Sequence, residues 1–224
     1  MNDNSLFRRS CITSNNKYEI TDINHEEYPF LHRIRALRDI GAEVKAGDLG
    51  GFVENENNLS SEPGDNAWIY EDAIAAGDAY VDQNANLRGK AVACDQAYVS
   101  RNALLAGNSR AEDAAYICGG VLLDGARCSG SSMVLPSPDT HNVPVLSGEC
   151  AVYGKVMGDV GVQGNAVILE GETIQNNTLD RLLLDERGRS ILRDPSRDEL
   201  APSQSHIEKE REPRKKKKRE EQSR

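Results

Sequence analysis

The sequence predicts an all-β chain, a parallel β-helix of six-residue repeats that closes one turn every eighteen residues. Three observations predict it. Small residues recur at every sixth position: Ala67, Ala73, Ala79, Ala85, Ala91, Ala97, Ala103, Ser109, Ala115 and Val121. Two places after each comes an apolar residue: Ile69, Ala75, Val81, Leu87, Ala93, Val99, Leu105, Ala111, Ile117 and Leu123. In six of these ten hexads the residue just before the small one is Asn or Asp, at Asn66, Asp72, Asp78, Asn84, Asn102 and Asn108. An amphipathic helix needs spacings of three and four, and a plain strand alternates without a six-residue reset. Asn and Asp tolerate positive φ and bond to nearby backbone, so a corner recurs in each hexad. Gly77, Gly89, Gly107 and Gly119 sit one residue earlier and relax the same corner.

Six residues make one side, and three sides make a triangular prism with small and aliphatic positions inside. Coils then stack at the parallel-strand spacing of about 4.8 Å. Outward positions eighteen residues apart fall into ladders. Tyr80, Tyr98 and Tyr116 form the first; Trp68, Asn86, Leu104 and Leu122 the second; Ile74, Val92 and Arg110 the third. An outward apolar ladder either stiffens the helix by self-stacking or marks association. The second meaning makes Trp68, Leu104 and Leu122 interface residues of a homo-oligomer, with a trimer favoured because triangular prisms pack about a three-fold axis.

The elements follow in order. Residues 1–16 read as a flexible N-terminus and 17–63 as a cap. Within the cap, KYEITD (17–22) and LHRIRAL (31–37) alternate as two strands of a hairpin, and Phe52 and Val53 plug the first coil. The β-helix spans 64–178. Its phase breaks near Gly125-Ala126, and residues 131–147, with two prolines about Asp139, Thr140 and His141, read as a loop thrown out from a corner. The pattern resumes at Cys150, with a slip near Gly158. Residues 179–199 hold a capping hairpin turning at Asp185–Gly188, and 200–224 read as a disordered basic tail. That tail contains Arg214, Lys215, Lys216, Lys217, Lys218 and Arg219, a run that either binds nucleic acid or an acidic partner or serves as a solvated tail.

Composition narrows the function classes. The net charge of −9 is uneven: residues 180–224 hold 14 Lys and Arg against 11 Asp and Glu, leaving 13 against 25 in residues 1–179. An acidic body argues against broad nucleic-acid binding by the folded surface, since phosphate contacts need Lys and Arg. Five cysteines, none in a CxxC spacing, argue for reduced thiols rather than a disulfide framework or a zinc knuckle. No apolar run of eighteen residues and no secretory leader are present, so a cytoplasmic protein without a membrane span is expected.

The corners Gly77-Asp78-Ala79 and Gly164-Asn165-Ala166 resemble those of the hexapeptide-repeat superfamily of left-handed β-helices. The segments KYEITD, LHRIRALRDI and KAGDLGGFVENENNLS look like the leader of uncharacterised hexapeptide-repeat proteins of phages, prophage regions and gut bacteria. The resemblance implies a left-handed coil. It also implies functions that can be tested on residues. A carbonic-anhydrase-like site needs three histidines on zinc, and none of His25, His32, His141 and His206 lies in the hexads, so no metal is expected. An acyl-CoA-dependent acyltransferase uses a loop histidine as general base; His141, oriented by Asp139, is the candidate. Cys118, Cys128 and Cys150 lack a paired histidine.

The leading expectation is a non-catalytic oligomeric binding or scaffold protein without a cofactor. The phage-like leader implies a sharper form, the sequestering of a small nucleotide signal of host defence. Arg101, Arg110 and Arg127 would meet phosphate, and Tyr80, Tyr98 and Tyr116 would stack on a base.

Overall fold

The computed structural model describes residues 15–193, which fold into a β-solenoid of about seven turns with about eighteen residues per turn. Three parallel sheets form its sides. The tyrosine sheet has six strands, the leucine sheet eight and the long sheet nine, the last including the cap. Each full coil contributes one short strand to each side. Tyr80 pairs with Tyr98 and Tyr98 with Tyr116; Asn86 pairs with Leu104; Ile74 pairs with Val92 and Val92 with Arg110. All of these pairs are eighteen residues apart, as the hexads predict. No helix of the described residues is long and apolar enough to cross a membrane.

The interior is two nested series. The small residues from Ala67 to Ala115 and the aliphatics two places on are fully buried. Ile69, Leu87, Leu105, Leu122 and Leu146 lie one above another in the leucine sheet and form its inner row. The outer residue between each pair is half-exposed except at Trp68, so the two-residue period of a strand decides inside from outside along the coils.

The corners differ in detail from the expectation. The left-handed residue is two places before the small one rather than one, at Glu71, Gly77, Gln83, Gly89, Asp95, Arg101, Gly107 and Asp113. Asn84 and Asn102 add a second left-handed residue at their corners. The preceding coil supports these corners, glycine and non-glycine alike. The Glu54 carboxylate accepts from the Gly77 amide at 2.7 Å, Asp113 from Gly130 at 2.8 Å, and Asp65 from both Gln83 and Asn84 at 2.9 and 2.8 Å. Acidic residues at the corners thus satisfy amides that no strand partner reaches, which gives the negative charge of the body a structural cause.

The phase break lies one repeat earlier than expected. Leu104 pairs with Val121 and Tyr116 with Met133, both seventeen apart, because the corner at Gly119-Gly120 is one residue short. Gly120 takes the small position, where a Cβ would lie 2.4 Å from Cγ1 of Val134. Val121 therefore faces out, Leu122 faces in and Leu123 faces out, the reverse of the hexad count. The expected loop at 131–147 is also shorter. Met133–Leu135 continues the tyrosine sheet and Val145–Leu146 the leucine sheet, so the excursion covers only 136–144.

At the N-terminal end β1 (Tyr18–Asn24) and β2 (His32–Ala36) form an antiparallel hairpin, and β3 (Leu49–Val53) links β2 to the parallel stack through Phe52 and Ile74. The hairpin lies over Trp68, whose ring meets Tyr18 edge-on at 6.3 Å. Gly50 permits the approach, since a Cβ there would lie 2.7 Å from Cζ2 of Trp68, and Gly51 lets β3 close on the first coil, where a Cβ would lie 2.4 Å from the Ala73 carbonyl oxygen. At the other end Arg181–Asp185 pairs in parallel with Val160–Val162, and Gly188–Leu192 folds back on it as a hairpin through the expected turn.

Candidate functional site

The six side chains expected to bind a ligand fall into two groups. Tyr80, Tyr98 and Tyr116 form a continuous stack, with ring centroids 5.9 and 5.3 Å apart and interplanar angles of 21° and 11°. Arg101 sits at the adjoining corner. Together with Ser60, Asp65, Tyr80, Asp82 and Asn84 it lines an open cleft of about 540 Å³. Arg110 and Arg127 lie on the long sheet instead, on a different side of the coil. There both share one carboxylate: Nε of Arg110 is 3.1 Å from Oε2 of Glu112, and Nε of Arg127 is 3.2 Å from Oε1.

Stacking sets what the tyrosines can do. Each face of the Tyr98 ring is covered by a neighbouring tyrosine, so a base cannot lie flat on it, and the outward edge of the ladder is what remains for contact. The Tyr98 hydroxyl donates to Oδ2 of Asp82 at 2.9 Å and accepts from Nε2 of the Gln83 side chain at 3.3 Å. Burial, with the Asp82 carboxylate beside it, pushes the Tyr98 hydroxyl up to about 12. Burial also raises Asp82, with Asp65 adding to it, and its Oδ1 is enclosed without a hydrogen-bond partner. Below the cleft Lys17 is fully buried and donates from Nζ to the Ser60 carbonyl at 2.7 Å. Burial draws this amine down to about 8 against the pull of Asp65 and Asp82. Sequence reasoning missed Lys17, Asp65 and Asp82. The recurrent Asp at the corners was the available signal for the carboxylates; a lysine in the first strand of a cap carries none.

The acidic lining changes the chemistry of this corner. Glu62, Asp65 and Asp82 surround Arg101, so a phosphate entering here meets three carboxylates and one guanidinium. On the long sheet the balance is reversed, with two guanidiniums on Glu112. That pair is the better anion site of the two.

The three residues expected at an interface separate in the same way. Trp68 is 1% exposed because the cap hairpin covers it, and Leu122 is fully buried because of the shortened corner. Neither reaches the surface. Leu104 does, and its register partners outward are Val121 and Val145, with Ala106 and Leu123 in the adjacent row. The leucine sheet therefore carries an outward apolar row that keeps Leu104 from the count and replaces Leu122 by Val121 and Val145.

His141 is exposed at left-handed φ within the 136–144 excursion, and its backbone amide donates to Ser137. No hydrogen bond joins its ring to Asp139. Asn142 reaches Asp159 instead, at 3.3 Å. Burial raises the thiols of Cys128 and Cys150, the latter to about 11, as befits core residues rather than nucleophiles. Among the described residues no group of three or more His, Cys, Asp or Glu side chains is placed to hold a metal ion. The run Arg214–Arg219 lies outside the described residues. No family model matches the chain, and no curated protein matches it.

Proposed function

We propose that this protein is a non-catalytic binding protein that works as a self-assembled oligomer, its subunits meeting on the outer apolar row of the leucine sheet. The observation that supports this most is the unbroken sequence Leu104, Val121, Val145 along that side, flanked by Ala106 and Leu123. A flat aliphatic strip several coils long has no polar function on its own surface, and burial against a copy removes it from water. A three-sided solenoid favours a trimer. Sedimentation equilibrium at micromolar concentration tests this. The unmodified chain runs above monomer mass, and Leu104→Glu with Val145→Glu returns it to monomer; a monomeric unmodified chain ends the proposal.

The likeness of the leader and the hexads to phage hexapeptide-repeat proteins supports a finer form, a left-handed solenoid encoded by a phage and acting in the host cytoplasm. There it sequesters a small nucleotide signal of host defence. Arg110 and Arg127 supply the phosphate contacts, since Glu112 occupies their Nε atoms and leaves the terminal amino groups to donate. Calorimetry against cyclic and linear nucleotides tests this form: binding is lost in Arg110→Gln with Arg127→Gln, and absence of heat with the whole panel rejects it.

A further inference from the structure

The cap does more than close the end of the solenoid. Its loop from Asn24 to Leu31 overhangs the first strands of the long sheet and encloses a cleft of about 480 Å³. The loop is built rather than slack. The His25 amide donates to the Leu31 carbonyl at 2.9 Å, the Leu31 amide returns to the Tyr28 carbonyl at 2.9 Å, and the Asn24 side chain donates to the Pro29 carbonyl at 2.8 Å. His25 Nδ1 accepts from the amides of Glu27 and Tyr28, so a neutral ring carries its proton on Nε2, which is left as a donor.

The walls are aromatic in a chain where aromatic residues are only 5% of the total, so their gathering here is a specific expenditure. His25 meets Phe52 edge-on at 4.8 Å and Tyr28 at 5.3 Å. Tyr28 is nevertheless 46% exposed, an apolar surface left open on a loop whose backbone is pinned. Arg33 is held over Phe52 at 4.3 Å and tied to Asp72 at 2.9 Å, so its charge is already answered and one Asp72 oxygen remains to accept. Lys90 stands on the lining as a further donor. Carboxylates outnumber cations here: Glu26, Glu27 and Asp72 against Arg33 and Lys90.

We propose that the cleft beneath the cap loop binds a neutral heteroaromatic ring of nucleobase type. The open Tyr28 ring supplies a stacking surface, His25 Nε2 and Lys90 donate to the ring's edge, and Asp72 accepts from it. The excess of carboxylates selects against added phosphates, so this site is distinct from the one assigned to Arg110 and Arg127.

Calorimetry of the full chain with adenosine, guanosine, cytidine and uridine, and with adenosine triphosphate, tests it. At least one nucleoside binds, and in the chain carrying Arg110→Gln and Arg127→Gln, which lacks the phosphate site, adenosine triphosphate binds more weakly than adenosine. Tyr28→Leu weakens nucleoside binding about tenfold at unchanged melting temperature. Lys90→Gln, at an exposed position, weakens it several-fold and serves if Tyr28→Leu does not fold. Arg110→Gln with Arg127→Gln leaves nucleoside binding intact, which separates this site from the phosphate site. No heat with any nucleoside at millimolar concentration overturns the inference. So does tighter binding of the triphosphate than of adenosine in the chain carrying Arg110→Gln and Arg127→Gln, or nucleoside binding that survives Tyr28→Leu and Lys90→Gln unchanged.

Discussion

Two adjacent leucines separate the coil as built from the coil as counted in hexads. Leu122 is fully buried on the inner row between Leu105 and Leu146, while Leu123 is half-exposed on the outer side. Truncating Leu122 to Ala removes three buried carbon groups, a transfer loss of roughly 2.4 kcal/mol at about 0.8 per group. The strands above and below are fixed by their ladders, so the gap closes only partly, and the full cost is about 3 kcal/mol. Leu123→Ala opens no enclosed cavity and costs about 1 kcal/mol or less. Urea unfolding followed by far-ultraviolet circular dichroism reads both. Two protein concentrations tenfold apart show any contribution of assembly as a shift in midpoint. Equal costs, or a larger cost at Leu123, would refute the shortened corner at Gly119-Gly120 and restore the uninterrupted hexad count.

Three further outcomes follow from the packing and charges. Burial draws Lys17 down to about 8 in the fold from 10.5 when solvated, so above pH 8 the unfolded chain binds the extra proton and this amine alone adds about 1 kcal/mol of stability from pH 8 to 9. The thiols of half-buried Cys94 and of buried Cys128 and Cys150 oppose it over the same interval and dominate above pH 9, because they stay protonated in the fold while those of the unfolded chain ionise; Lys17→Met therefore turns a nearly level pH series of urea midpoints between pH 8 and 9 into a falling one. Gly51→Ala drives a Cβ against the Ala73 carbonyl, where backbone cannot yield, and costs about 2 kcal/mol or more; the fluorescence of Trp68 under the cap reports it. Asp65→Ala leaves the Gln83 and Asn84 amides without their acceptor and costs about 1–2 kcal/mol, measured as a fall in thermal midpoint.

The regular coils were legible because one residue type recurs for one physical reason. Only a small side chain fits where Ala73 or Ala91 turns into the prism, and only an aliphatic one fills it at Leu87 or Leu105. Corners were less legible. Several residues serve there, from Gly77 to Arg101, because contacts from the preceding coil compensate the strain, so composition does not mark the left-handed position. The lost residue at Gly119-Gly120 was hidden by Val121 and Leu123, which satisfy the hexad rule by type while facing outward. Trp68 obeyed the ladder by number and escaped it by packing, since the cap that covers it lies some fifty residues earlier. The candidate sites were legible only as single residues. Periodicity placed Tyr80 with Tyr98, but Arg110 meets Arg127 only because of the seventeen-residue coil, and the carboxylates beside these residues carried no comparable signal.

Paired cysteines measure the coil most directly. Leu104→Cys with Val121→Cys places two thiols on facing outward positions of adjacent coils, and mild oxidation closes an intramolecular disulfide between them. Leu104→Cys with Leu122→Cys places one outside and one inside the prism, and no such link forms. The reverse pattern would mean that neither the seventeen-residue coil nor the outward rows built on it exist.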